Sequence, residues 1–141
     1  LDLKVVKALD FGWDFNQPIE RLDLKAVKTL RFVKCFNQKV ERLDLKGVES
    51  LAFGSDFNQK VEGFDIKGVK DLTFGYGFNQ PVEGLDLKGV TSLTFDRYSI
   101  FNQPVEGLDL KGVESLSFGS GFNQKVEGLD LKEDHIIHTL G

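Results

Sequence analysis

The sequence contains no methionine, not even at position 1, and a single cysteine, Cys35. One cysteine excludes a framework of intrachain disulfides, and with no signal-like stretch ahead of Leu1 the sequence is expected to be a processed chain, an excised fragment or an engineered one. No apolar run exceeds three residues, too short for a membrane-spanning helix. An excess of charge of one sign is also missing: 22 acidic residues face 18 basic ones, for a net charge of −4, spread copy by copy without the basic stripe that phosphates require. Nucleic acid is therefore not expected as a partner, and no membrane insertion is expected either. A Ser, His and Asp set, a second cysteine and a phosphate-cradling glycine motif are all lacking. The expectation is a chain with no enzymatic activity, no catalytic residue and no cofactor.

What the chain does have is repetition. Cutting before each Leu-Asp-Leu gives copies at 1–21, 22–42, 43–63 and 64–84, a longer one at 85–107, another at 108–128 and a half copy at 129–141. A fixed period of 20 to 29 residues marks a solenoid, each unit being a coil that buries its apolar side only against its neighbours. Seven columns are apolar in every full copy; in the third they are Leu43, Leu45, Val48, Leu51, Phe53, Phe57 and Val61, the expected core. Leu51-Ala52-Phe53 and its equivalents alternate apolar and polar with the period of a half-buried strand. Leu-Asp-Leu-Lys alternates in the same way and predicts a second short strand. Glycine and polar turn residues leave no window long enough for a helix.

The expected fold is thus an α/β-type solenoid, mostly β and coil, leucine-rich-repeat-like and right-handed. It has six coils on the 21-residue period plus a partial seventh, with a parallel sheet on one face. One solenoid domain is expected over 1–132, followed by a C-terminal tail or cap at 133–141. Asn16, Asn37, Asn58, Asn79, Asn102 and Asn123 recur without exception in Phe-Asn-Gln. They predict a structural ladder, each amide turned inward at a bend to satisfy backbone groups.

The string Leu-x-Phe-Gly-x-x-Phe-Asn-Gln-Pro-Val, clearest from Leu72 to Val82, resembles the FNIP repeats, a variant of the leucine-rich repeat. FNIP units usually run one residue longer and carry Leu-Pro where this chain has Asp-Leu, as at Asp86-Leu87. A more distant similarity to BspA-like surface repeats rests on the same Phe-Asn-Gln. The first resemblance implies a leucine-rich-repeat fold with binding on the strand face. The second implies a cell-surface role, against a cytoplasmic location that the chain alone slightly favours.

Three charged columns, of Asp (Asp2 to Asp130), Lys (Lys4 to Lys132) and Glu (Glu20 to Glu127), are expected to interleave as a lattice of surface ion pairs rather than as cation sites. Glu133, Asp134, His135 and His138 cluster near the end, but their spacing fits no zinc signature and reads as a cap or linker. A short row of Thr73, Thr94 and Ser117 is too brief for an ice- or carbohydrate-binding array. The positions that differ between copies flank the strands, and they include Trp13, Arg31, Tyr76, Arg97 and Tyr98, residue types enriched in binding hot spots. These five are the candidate partner-binding residues for an unidentified protein. The two extra residues of the fifth copy should bulge out just after its strand. The alternative function is a structural or adhesion element whose uncapped ends stack end to end.

Overall fold

The computed structural model describes residues 1–127 and 129 in full and the backbone of 136–139. Seven short strands, β1 (Ala8–Phe11), β2 (Thr29–Phe32), β3 (Ser50–Ala52), β4 (Asp71–Phe74), β5 (Ser92–Phe95), β6 (Ser115–Phe118) and β7 (Ile136–Thr139), lie side by side in chain order in one parallel sheet. β7 comes from the segment that sequence alone sets apart as a tail or cap. Register follows the repeat, Leu9 facing Leu30, then Leu51, Leu72, Leu93 and Leu116. Among the described residues there is no helix. The fold is a parallel-sheet β-solenoid with coils of about 21 residues.

The seven expected core columns are buried through the middle coils, and in the third copy none of the seven side chains exceeds 6% exposure; toward the ends they open, Leu1 being 95% and Val126 44% exposed. Two stacks of phenylalanine run the length of the core. Phe53, directly after β3, lies 3.8 Å centroid to centroid from Phe57 in its own coil, and 5.6 and 5.8 Å from Phe32 and Phe74 in the neighbouring coils. Near-parallel aromatic pairs of this kind add about 0.5 to 1.5 kcal/mol each beyond the area they bury.

Leu-Asp-Leu-Lys is not a second strand, contrary to its alternating pattern. Its two Leu do point inward, but the Asp side chain bends back on its own backbone. Asp44 Oδ1 accepts the N–H of Lys46 at 3.3 Å, and the same contact recurs at Asp2, Asp23, Asp65, Asp86 and Asp109. A turn follows at once, Val48 N–H donating to the Leu45 carbonyl at 2.9 Å. An aspartate that mimics a backbone turn in this way competes with strand pairing. Among the described residues, the contact that repeats along the Asp column is this turn rather than the expected lattice of ion pairs.

The ladder also differs in direction from the expectation. Each Asn lies exposed or half-buried at the coil's edge and reaches along the solenoid axis, not inward. Asn37 Oδ1 accepts the backbone N–H of Asn58 at 2.9 Å and the Gln59 Nε2–H at 3.0 Å, and Gln59 Nε2 also donates to the Asn37 carbonyl. The rungs continue from Asn16 to Asn123. They tie coil to coil where no strand does.

Candidate functional site

The outward positions of the sheet build the candidate site. Along β2 to β5 the residue between the two inward side chains is Arg31, Ala52, Thr73 and Thr94, and just past the strands stand Val33, Gly54, Gly75 and Asp96. Glycine is required at 75 by packing: a Cβ there would lie 2.3 Å from the Gly54 carbonyl oxygen, backbone that cannot move aside. Small residues in the third and fourth coils thus leave a groove of about 320 Å³, walled by Arg31 and Val33 at one end and by Tyr76 and Asp96 at the other.

Of the five candidate residues, Arg31 and Tyr76 line this groove, while Trp13, Arg97 and Tyr98 lie beyond its two ends. Arg31 donates to Asp10 across the first two strands at 3.2 Å, in a pair more than half exposed on both sides and so weak. Lys34 Nζ sits 4.5 Å from the centre of the Trp13 ring. Trp13, Tyr76 and Tyr98 are 59%, 50% and 63% exposed, so each offers a ring to a partner.

The insertion in the fifth copy leaves the coil as a bulge. Ile100 N–H donates to the Tyr76 carbonyl and Gly121 N–H to that of Ser99, so Ser99 and Ile100 hold the places that Tyr76 and Gly77 hold one coil earlier. The extra pair is therefore Arg97 and Tyr98. Asp96 closes its base, Oδ1 accepting the Tyr98 N–H at 2.9 Å and its carbonyl the Ser99 N–H at 2.8 Å. Ser99 is fully buried, and its Oγ accepts the Phe101 N–H at 3.0 Å. Arg97 lies over the Tyr98 ring, 5.5 Å from its centre.

One feature of the site was missed in the sequence. Net charge is not spread evenly: the second coil, 22–42, holds Lys25, Lys28, Arg31, Lys34, Lys39 and Arg42 against only Asp23 and Glu41. Every other copy is net negative. A count of charge per copy, instead of over the whole chain, would have found it. Three of the six cations, Lys28, Arg31 and Lys34, fall on β2 or close beside it in the chain, and Arg31 lines one end of the groove.

Two further features lie outside the groove. A recess of about 510 Å³ opens beside the ladder, but Asn37, Gln38 and Gln59 in its lining are engaged in rungs. Cys35 is half-buried beside Asp56; burial first, then the Asp56 carboxylate, push its thiol above the ordinary value, so it is protonated near neutral pH. Glu133, Asp134 and His135 lie outside the described residues, as does the side chain of His138. Among the described residues no three His, Cys, Asp or Glu gather as a metal-binding group, and no helix is long and apolar enough to cross a membrane.

The family described as "Mycoplasma protein of unknown function, DUF285" matches residues 5–129, the span of six of the seven strands. The chain belongs to the DUF285 family. No curated protein matches it. Among solved structures, the one titled "The crystal structure of CroV588 a novel circular LRR protein structure" is similar, at a TM-score of 0.71 and 28% identity over 95% of this chain. The chain spans 24% of that protein's length, about a quarter. The solenoid of this chain is thus leucine-rich-repeat-like.

Proposed function

We propose that this DUF285 solenoid is a recognition or scaffolding module that binds a protein partner through its strand face and performs no chemistry of its own. The observation that carries this reading is the division of labour within the repeat. Core, turn and ladder positions are nearly uniform from coil to coil, while the outward positions beside the strands vary and carry Trp13, Arg31, Tyr76, Arg97 and Tyr98 around a preformed groove. Exposed aromatic and Arg side chains on a rigid scaffold give contact area with few rotamers to freeze. The finer likeness to FNIP-type units, through Leu-x-Phe-Gly-x-x-Phe-Asn-Gln, supports the same reading, since leucine-rich repeats bind with this face.

The test places a photo-crosslinking side chain at Thr73 on the strand face and, separately, at Lys67 in the Lys column away from the strands, in lysate of the source organism. Capture of one discrete protein from position 73 and none from position 67 is expected. The opposite pattern would assign recognition to the wrong side of the solenoid.

A further inference from the structure

We propose that the groove takes an extended, acidic segment of a protein partner, its carboxylates held at the second coil and its apolar side chains laid toward Tyr76. The inference rests on the strand-face reading above and names the occupant. Charge is the first argument. The second coil is the one full copy with net positive charge, and its Lys28, Arg31 and Lys34 stand just before β2, on it and just after it, with Arg31 and Lys28 exposed and Lys34 half-exposed. The contacts these cations already make are weak ones: Arg31 shares an exposed pair with Asp10, and Lys34 covers the Trp13 ring. Neither neutralises a coil that carries six cations against two acids. The flanking copies are acidic, so the positive field is confined to one end of the groove and would fix the direction in which a segment lies.

Shape is the second argument. Ala52, Gly54 and Gly75 form a floor without projecting side chains, and Tyr76, half exposed, stands over it. From β2 to β5 the sheet spans three strand spacings, about 14 Å, the length of roughly four extended residues. A segment crossing the strands therefore meets the cations with one or two carboxylates and reaches the depression with the next apolar side chain. Longer anions such as single-stranded nucleic acid share the charge, but of the aromatic residues lining the groove Phe32, Phe53 and Phe74 are buried and Tyr76 alone is exposed, where base stacking calls for successive platforms.

The experiment uses the full chain and two fluorescein-labelled synthetic peptides, Asp-Glu-Glu-Leu-Thr-Val and the same peptide with Lys at its three acidic positions, read by anisotropy at low and physiological salt. The acidic peptide is expected to bind about tenfold tighter or more, with the difference shrinking as salt rises. In the double variant Arg31→Glu, Lys34→Glu the preference should reverse. In Lys67→Glu, Lys88→Glu, which changes net charge equally but away from the groove, it should fall by no more than about twofold. All four positions are exposed or half-exposed, and a thermal scan verifies that both variants fold. Equal losses in the two variants would reduce the effect to net charge and overturn the proposal. So would a wild-type protein that does not distinguish the peptides, or a single-stranded oligonucleotide that binds more tightly than the acidic peptide. In any of these cases crosslinking from position 73 still reads whether the strand face is used, so the two ideas fail separately.

Discussion

At the scale of single residues, the ladder asparagines show why an invariant amide could be recognised in the sequence while its direction could not. Column identity says that the side chain is structural; only the stacked coils show that Oδ1 serves the next copy's N–H groups. Asn58→Ala removes the acceptor of Asn79 N–H at 2.9 Å and of Gln80 Nε2–H at 3.2 Å. Because this edge is open to water, which can take over the freed donors, the expected loss in chemical denaturation is about 1 to 2 kcal/mol rather than the full cost of a buried orphan. Asn58→Asp keeps an acceptor oxygen in place and should lose less than Ala; an equal loss would mean that these bonds do not hold the coils. Cys35 gives a second check. With its thiol pushed upward by burial and by Asp56, little thiolate is present at neutral pH, so iodoacetamide should react more slowly than with an unstructured cysteine. Asp56→Asn removes an anion that opposes ionisation, lowers the thiol's value and should speed alkylation at fixed pH. A rate that does not change with this substitution would show that Asp56 has no hold on the thiol.

At the scale of the element, period decided what was legible. The strand could be read from Leu51-Ala52-Phe53 because inward Leu and Phe alternate with an outward residue, and the structure buries Leu51 and Phe53 to within 3% of full burial. Leu-Asp-Leu has the same alternation and yet forms a turn. The pattern reports which side chains face the core, and it does not register the bond from the Asp carboxylate to the Lys N–H that breaks strand pairing. The groove was illegible for a related reason, since it arises from small residues that are adjacent only across coils. The phenylalanine stacks set the energetics of the element. Phe53→Ala removes a ring packed against Phe32, Phe57 and Phe74 and should cost about 3 to 5 kcal/mol. Phe11 has a stacked neighbour on one side only, Phe32, besides Phe15 in its own coil, and is half-buried, so Phe11→Ala should cost clearly less. Denaturant titration of both variants decides it, and equal losses would show that stacking between coils adds little.

At the scale of the whole molecule, the solenoid holds its period through an insertion, and the way it does so predicts what happens when the insertion is removed. The ladder runs on unbroken from Asn79 to Asn102 across 23 residues at 2.9 Å, the same length as between Asn58 and Asn79. The phenylalanine stack does likewise, with Phe78 and Phe101 at 5.9 Å against 6.0 Å for Phe57 and Phe78. Arg97 and Tyr98 therefore add nothing to the coil's own path. Ser99 N–H already lies 2.8 Å from the Asp96 carbonyl, so joining Asp96 directly to Ser99 asks for only a local shift. Deleting the pair forfeits the bonds from Tyr98 N–H and Ser99 N–H to Asp96 and from Ser120 N–H to the Arg97 carbonyl, all at the surface turn, and shortens a loop that costs entropy to close. The two effects oppose one another, and stability is expected to stay within about 1 kcal/mol of the parent. Amide exchange should keep the protection of Asn102 and Asn123, whose N–H groups are ladder rungs. A loss of protection confined to the fifth and sixth coils would show that the bulge is a structural brace. Retained protection, combined with weaker crosslinking to a partner from position 73, would show that Arg97 and Tyr98 extend the recognition face beyond Asp96.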